Sequence, residues 1–394
     1  MRRLFLAPVL LLMLPLAAVV ALFWDRDPAT APHDEVAVPF ATASPTASPS
    51  PTPAVAPLTL ADIFPPRDIS ALDPSRLVTV IATGDVIPAR YTDVAIRNHG
   101  DDFSYPFAAV SGILSQADAT VINLEAPLVS YCPYHDSGFT FCGRPGFANA
   151  MEVAGVDVVT LENNHIGNYG ADGIEETKTY LQPPQVSSPI AWADREHAAI
   201  IDVKGLRFGF LAFNAVLDHV DRDAMAAQIK ALRPQVDVLA VAFHWGAEYV
   251  SVPTTAPGVA DDDPVELAHL AVDSGADWVI GNHPHWVQGV EVYKGKFIAY
   301  AHGNLIFDQM WSYETRVGVI GKYTFYDPCG PEVPPPWQSG RPSCPSLVRV
   351  EYIPTLIQDW SQPVPMSGPE AQAVLDGMKA ASEQLATGLA SSPR

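Results

Sequence analysis

The residues best suited to chemistry in this sequence stand directly after short runs of apolar residues. Each of these positions carries a carboxylate, an amide or an imidazole, the side chains that hold divalent metal ions in hydrolytic centres. If the runs are neighbouring strands, their ends bring these side chains together. In chain order the residues are Asp85, Asn123, Glu125, Asn163, Asn164, His165, His244, Asn282, His283 and His285.

Taken singly, each of these residues has an ordinary structural explanation. Asp85 after a glycine could cap a turn or a helix, and His244 at the end of an apolar run could be a hydrogen-bonded core histidine. The strongest single signal is His283 with His285, because alternate residues of an extended segment point to the same side. The coincidence of all these positions favours a metal site over the separate explanations.

The apolar runs themselves predict the α/β fold class. They are short, continuous and rich in Val and Ile, and helical stretches separate them, as in a sheet that is covered on both faces. In such sheets ligands gather at the carboxyl ends of the strands, so the polar residues are expected at one sheet edge. The runs are LVTVIAT, ADATVIN, VDVVTLE, VDVLAVAF and ADWVIG.

The charge balance of the 394-residue chain excludes a non-specific nucleic-acid binder. Lys and Arg number 23 against 44 Asp and Glu, a formal net charge of −21, whereas such binders need a basic face. An anionic ligand therefore needs local attraction from a metal ion or from well-placed arginines. Arg90 is a candidate anion clamp, with a structural salt bridge as the alternative.

The N-terminal residues predict export. Arg2 and Arg3 precede an uncharged apolar run as long as a bilayer span, so we expect residues 1–24 to be an uncleaved signal-anchor. A Pro-, Ala-, Ser- and Thr-rich linker at 25–75 would then hold the domain away from the membrane. The expected location is the cell membrane, single-pass, with the domain extracytoplasmic. The alternative is secretion after signal cleavage.

The four cysteines suit an exported protein, in which disulfides persist. They fall into two near pairs, Cys132 with Cys142 and Cys329 with Cys344. Neither spacing is that of a zinc ribbon, so we predict structural bridges rather than metal ligands.

Five blocks together resemble the bacterial capsule-synthesis CapA family, which is associated with poly-γ-glutamate capsule production. The resemblance covers residues 76–325 and implies a fold similar to the calcineurin-like metallophosphoesterases, an α/β, layered αββα sandwich with mixed sheets. We therefore expect this domain at 76–365, followed by a C-terminal helix and tail at 366–394. The blocks are TGDVIPAR at 83–90, NLEAPL at 123–128, NNHIGNYG at 163–170, HWGAEY at 244–249 and GNHPHWVQGVEVYKGKFIAYAHGNLIFD at 281–308.

The metallophosphoesterase pattern implies roles for the residues that match it. Glu125 resembles its bridging aspartate, and His165 resembles the histidine that assists the leaving group as a general acid. Ile87 stands where that pattern has a histidine ligand, and Asn168 and Asn282 depart from the usual Asp and His of the CapA family. The implied cation, Mn²⁺, Zn²⁺ or Fe²⁺, would be held by Asp85, Glu125, Asn164, His244, His283 and His285.

These observations predict a membrane-anchored protein of capsule or poly-γ-glutamate synthesis or export, with a hydrolase-type metal site and His165 and Arg90 as catalytic candidates. Glu248 and Tyr249 are candidates for contacting substrate or orienting His244. The expected partners are an anionic polymer such as poly-γ-glutamate, or a phosphorylated substrate, together with membrane synthase or exporter subunits. Two alternatives stay open. One is a metal-dependent phosphoesterase of an unrelated substrate, and the other is a non-catalytic accessory subunit that binds polymer or partner.

Overall fold

The computed structural model describes residues 55–182, 189–329 and 345–391. The predicted signal-anchor at 1–24, most of the linker and Cys344 lie outside the described residues. Within those three ranges, none of the helices combines the length and the apolar character needed to cross a bilayer.

Strands and helices mostly alternate between residues 77 and 282, strands dominate from 290 to 365, and a long helix follows. The strands are β1 Leu77–Val86, β2 Ala119–Leu124, β3 Val158–Thr160, β4 Ala191–Ala193, β5 Ala199–Val203, β6 Leu206–Asn214, β7 Val238–His244, β8 Trp278–Asn282, β9 Val290–Tyr293, β10 Lys296–Ala299, β11 Asn304–Ile306, β12 Val317–Tyr326, β13 Ser346–Gln358 and β14 Gln362–Pro365. The α-helices are α1 Tyr91–Asn98, α2 Ser111–Leu114, α3 Gly146–Val153, α4 Gly170–Leu181, α5 Arg222–Leu232, α6 Pro264–Ser274, α7 Tyr313–Arg316 and α8 Gly368–Ser391.

Local sequence explains where these elements begin and end. Helix α6 begins after Asp263, whose side chain accepts hydrogen bonds from the backbone N–H groups of Val265 and Glu266, and Pro264 occupies its first turn. It ends at Gly275, whose φ of 125° favours glycine. The strand that follows, β8, is buried along its whole length, as expected for a run without polar alternation.

The first sheet has eight strands in the order β14-β13-β12-β1-β2-β3-β4, with β11 paired to β1. Strands β1 to β4 and β11 are parallel to one another, whereas β12 pairs antiparallel with β1 and continues into an antiparallel extension of β13 and β14. The second sheet has six strands in the order β5-β6-β7-β8-β10-β9. Its central four are parallel and both edge strands are antiparallel. Both sheets are therefore mixed, which confirms a mixed α/β fold with two sheets.

The expectation of one sheet edge is wrong, because the five apolar runs divide between the two sheets. β1, β2 and β3 lie in the first, and β7 and β8 in the second. A continuous apolar run shows that both faces of a strand are covered, but it does not distinguish a helix from a second sheet as the cover.

The main core lies between the sheets, where residues such as Val80 and Val121 pack against Phe208, Ala240 and Trp278. A second cluster joins the first sheet to α1, α2, α3 and α4, and a third joins the second sheet to α5, α6 and α8. Each sheet thus buries one face against the other sheet and one against helices.

The predicted Cys132–Cys142 disulfide is present, with a Cα–Cα distance of 5.7 Å. Cys329 is also disulfide-bonded, while its predicted partner lies beyond the part of the chain that the structure describes.

Candidate metal centre

Strands from both sheets end at the same place and carry the predicted residues there. β1 contains Asp85, and Glu125 directly follows β2. In the second sheet, β7 ends on His244, and the loop after β8 carries His283 and His285. The backbone N–H of His283 lies 3.3 Å from Oδ2 of Asp85, so the two sheets are in direct contact at this point.

A close backbone approach positions Asp85. A Cβ atom at Gly84 would lie only 1.8 Å from the carbonyl oxygen of Gly303. That same oxygen accepts a hydrogen bond from the Asp85 N–H at 3.0 Å. The glycine before Asp85 is therefore a packing requirement, because no side chain fits there.

His283 and His285 lie in a loop. The expectation that an extended segment points both rings to the same side is therefore wrong. Their φ angles are 98° and 55°, in the left-handed region that non-glycine residues rarely adopt. The two ring centroids nevertheless lie 5.7 Å apart. Such backbone strain persists where the surrounding structure enforces it, commonly at functional sites.

Two triads of potential ligands overlap at this point. One consists of Asp85, Glu125 and His244, and the other of Glu125, His283 and His285. Within each triad the donor atoms lie within 4.8 Å of one another, and all five residues are buried. Glu125 belongs to both triads and is the residue that joins them.

Several of these buried polar atoms lack any hydrogen-bond partner. They include both carboxylate oxygens of Glu125 and both ring nitrogens of His283. Nε2 of His244 lies 3.3 Å from Glu125 but is hydrogen-bonded to Oδ1 of Asn164 at 2.9 Å. Leaving such groups unsatisfied costs about 1–3 kcal/mol each. A bound divalent cation would satisfy the oxygens of Glu125 and one ring nitrogen of His283, so the donor set fits a metal ion.

Burial and the charges of neighbouring groups shift the pKa values of these residues in different directions. Burial, followed by the charge of Asp85, raises the pKa of Glu125 well above its ordinary value. Burial opposes ionisation of Asp85 and His285, but their hydrogen bond and charges outweigh it. The pKa of Asp85 is therefore lowered, and that of His285 is raised to about 9. Burial lowers the pKa of His244 to about 4 and that of His283 well below its usual value. Both imidazoles are therefore uncharged near neutral pH.

Amide side chains hold these groups in place. Asn123 donates to Oδ1 of Asp85 at 2.8 Å, and its own oxygen accepts from Asn163 at 3.1 Å. Asn304 accepts from Nδ1 of His285 at 2.9 Å. The sequence did not predict that Asn304 would orient His285. The available signal was its position at the start of β11, within the block at 281–308.

The structure brings Asn164 and His165 to the edge of the cluster. The contact of Asn164 is with His244, and its role as a ligand stays a prediction. Nδ1 of His165 lies 3.1 Å from Oδ1 of Asn168, which also accepts from the Phe141 N–H. Nδ1 must therefore carry the proton, because Asn168 presents its oxygen. Burial lowers the pKa of His165 to about 4.

Arg90 adopts the salt-bridge arrangement that the sequence left as an alternative. Its Nε lies 3.1 Å from both carboxylate oxygens of Asp308, and Nη2 also contacts that carboxylate. Nη1 donates to the carbonyl of Gly138 at 3.2 Å. The guanidinium lies over the rings of Phe141 and Phe307, 5.0 and 4.9 Å from their centroids. Nε, Nη1 and Nη2 of Arg90 thus all contact protein acceptors, as a structural salt bridge requires.

Glu248 and Tyr249 lie beside His285 rather than beside His244. Oε1 of Glu248 is 3.9 Å from Nε2 of His285, and the Tyr249 and His285 ring centroids are 6.2 Å apart. At the position where the metallophosphoesterase pattern has another histidine, Ile87 is buried in an apolar cluster with Phe141 and Phe307.

Two facing sheets with a buried carboxylate and imidazole cluster where they meet define an α/β protein with a candidate metal centre. Residues 79–309 match the family described as "Bacterial capsule synthesis protein PGA_cap". The chain belongs to this family, which confirms the resemblance found in its motifs.

Curated relatives have related names. "Capsule biosynthesis protein CapA" of Bacillus anthracis is 28 % identical over 274 residues, covering 64 % of this chain and 64 % of the relative. A "Probable polyglutamine synthesis accessory protein" of Mycobacterium tuberculosis is 27 % identical over 238 residues, covering 52 % of this chain and 60 % of the relative. The chain therefore matches less than two thirds of the length of each. A solved phosphatase from Mycoplasma pneumoniae is 12 % identical, with a TM-score of 0.39, covering 75 % of this chain and 96 % of that chain.

Proposed function

We propose that this protein acts in capsule or poly-γ-glutamate exopolymer synthesis or export and carries a divalent-metal hydrolytic site. The observation that carries the proposal is the pair of buried triads that share Glu125, with unpartnered atoms on Glu125 and His283. The family membership and the names of the relatives support the biological setting.

Asp85, Glu125, His244, His283 and His285 would hold the cation, with Asn164 at the edge of the site. When bound there, a divalent cation activates water and polarises a phosphoryl or acyl oxygen. It would also give an anionic substrate a positive focus on a chain with a net charge of −21.

His165 is the candidate for proton transfer. A pKa of about 4 keeps its ring neutral near pH 7, and the bond to Asn168 holds the proton on Nδ1. Nε2 therefore has a free lone pair that can take up a proton and then deliver it to a leaving group.

A substrate screen tests the proposal. The whole chain is assayed with phosphomonoesters, phosphodiesters and γ-glutamyl substrates in the presence of Mn²⁺ or Zn²⁺. We expect turnover of one class that is lost in Asp85→Ala and His283→Ala. It should be retained in His269→Ala, a histidine paired with Glu291 elsewhere. Unchanged metal content in the first two variants would refute the site.

A non-catalytic accessory role is the second candidate, and the apolar environment of Ile87 favours it, because one expected ligand is replaced by core packing. In that case the metal site serves ligand binding. Absence of turnover on every substrate, together with saturable polymer binding that requires His283, would support this role over hydrolysis.

The extracytoplasmic, membrane-anchored location is part of the proposal. It is supported by the charged and apolar pattern of residues 1–24 and by the disulfides, which persist in oxidising compartments. Protease treatment of intact cells tests it. We expect the domain to be degraded while a cytoplasmic marker is protected, and protection of the domain would refute this location.

A further inference from the structure

The loop at 132–142 is closed by the Cys132–Cys142 disulfide and has no secondary structure of its own. Its base is fixed by the Val129 N–H, which donates to the Gly143 carbonyl at 3.0 Å. The structure describes every residue between these two, and none of their backbone N–H groups donates to a backbone carbonyl. The bridge is therefore a covalent restraint on a segment that no backbone hydrogen-bond ladder holds.

One buried residue of this loop reaches the histidine that is the candidate for proton transfer. The backbone N–H of Phe141 donates to Oδ1 of Asn168 at 2.6 Å, and the same oxygen lies 3.1 Å from Nδ1 of His165. The Phe141 ring also packs against His165, with ring centroids 4.3 Å apart. Phe141 therefore contacts His165 directly through its ring and indirectly through Asn168.

The backbone N–H of Phe141 determines how the Asn168 amide is turned. An amide side chain accepts through its oxygen and donates through its nitrogen, and a backbone N–H can only donate. The bond from Phe141 therefore requires the oxygen of Asn168 at this position, which in turn requires a proton on Nδ1 of His165. If the Phe141 N–H moved away, the amide could turn its nitrogen toward Nδ1, and the proton would then stand on Nε2.

The disulfide adjoins both partners of the bond between Phe141 and Asn168. Cys142 directly follows Phe141 and is buried. Its Sγ lies 3.3 Å from the hydroxyl of Tyr169, which directly follows Asn168. A disulfide sulfur carries no hydrogen, so the Tyr169 hydroxyl is the donor. The bridged sulfur thus restrains the backbone on each side of this hydrogen bond.

We infer that the Cys132–Cys142 disulfide positions His165 for proton transfer. It acts through Phe141 and Asn168, which keep the lone pair of the neutral His165 ring on Nε2. This inference rests on the proposed function, in which His165 carries the proton, and it adds a control on that step. None of the five candidate metal ligands belongs to the loop, so losing the bridge should leave cation binding unchanged.

The test follows the protonated nitrogen of His165 by NMR of the whole chain, labelled with ¹⁵N-histidine, in mild detergent with a chelator. His165→Gln identifies the signal by its absence. We expect the proton on Nδ1 in the wild type and mainly on Nε2 when Cys132→Ser and Cys142→Ser are combined. Tyr134→Ala, which truncates an exposed ring of the same loop and keeps the bridge, should match the wild type.

Asn168 supplies a matched pair of variants that leave the bridge in place, so the test does not depend on folding of the cysteine variant. Asn168→Asp keeps an acceptor for both N–H groups and should retain the proton on Nδ1, whereas Asn168→Ala should lose it. Removing the bridge from Asn168→Ala should cause no further change, because both act along one path. Retention of the proton on Nδ1 in Asn168→Ala overturns the inference.

Turnover gives a second measurement. Removing the bridge should lower kcat about tenfold and leave KM and Mn²⁺ affinity unchanged, because only the minor form then presents a lone pair on Nε2. A folded cysteine variant that keeps the proton on Nδ1 overturns the inference, even where metal-dependent turnover is confirmed. The expected shift to Nε2 without turnover of any substrate refutes the hydrolytic function and supports the positioning of His165.

Discussion

The side-chain oxygen of Asn304 lies 2.9 Å from Nδ1 of His285, and both residues are buried. The Asn304 amide is oriented by its nitrogen, which donates to the Thr315 carbonyl at 2.9 Å. Oδ2 of Asp85 lies 3.2 Å from the same nitrogen. Asn304 and Asp85 therefore both favour a proton on Nδ1, and in the neutral ring the lone pair stands on Nε2. A residue outside the candidate ligand set thus helps to determine which nitrogen of His285 is available.

Removal of Asn304 should weaken metal binding without removing a ligand. Asn304→Ala is expected to lower Mn²⁺ affinity by about 10–100-fold, because the His285 ring loses its orientation. Titration calorimetry measures this, and Asn98→Ala, at an exposed asparagine, is the matched control. Equal affinity in the Asn304 variant would show that the hydrogen bond does not tune the site.

The Arg90 and Asp308 pair should contribute mainly to folding. Their side chains are 14 % and 3 % exposed, so removing one partner leaves a buried charge. Arg90→Gln is expected to lower the free energy of unfolding by about 3–5 kcal/mol, measured by urea denaturation. Arg222→Gln, at an exposed ion pair, should cost less than about 1 kcal/mol. If Arg90 is an anion clamp instead, Arg90→Gln will raise KM and leave the unfolding free energy unchanged.

The Cys132–Cys142 bridge should stabilise the folded state as well as the loop. It closes a loop with a sequence separation of 10. Replacing both cysteines with serine is expected to lower the free energy of unfolding by about 2–3 kcal/mol. Urea denaturation of the oxidised wild type and the double variant measures the difference. An unchanged urea midpoint would show that removing the bridge does not increase the conformational entropy of the denatured chain.

Asp62 should give stability that depends on pH. Hydrogen bonds from Arg67 and Thr59 lower its pKa from 3.8 to about 2, and Arg67 also binds the carbonyls of Ala56 and Pro57. A lowered folded-state pKa stabilises the fold above 3.8, and this contribution is lost as the pH falls through about 2. The difference in urea midpoint between wild type and Asp62→Asn should therefore be positive near neutral pH and shrink in acid. A difference that does not vary with pH would contradict this assignment.

The sequence predicted the strands of this fold better than their arrangement. β1, β2, β3, β7 and β8 coincide with the apolar runs because hydrophobicity and β-branching act locally. Their division between two sheets depends on contacts distant in sequence, which no single run records. The family resemblance supplied that arrangement where periodicity could not.

The candidate site was predictable in its residue types but not in its bonding. Asp85, Glu125 and the histidines stand at strand ends, where sheet geometry concentrates ligands. The positive φ angles of His283 and His285, and the bond from His285 to Asn304 across 19 positions, follow from tertiary packing. Arg90 illustrates the same limit, because its partner Asp308 is 218 residues away.

The most direct test of the metal centre is the gain in free energy of unfolding that Mn²⁺ gives to the wild type and to Glu125→Gln. With a chelator, Glu125→Gln should unfold within about 1 kcal/mol of the wild type, because the raised pKa keeps the buried carboxyl neutral and the amide has a similar size and polarity. With Mn²⁺ at a hundred times its Kd, the wild type should gain about 2.7 kcal/mol and Glu125→Gln almost nothing. Glu291→Gln, outside the centre, should gain as much as the wild type. An equal gain for wild type and Glu125→Gln would contradict a cation held at Glu125.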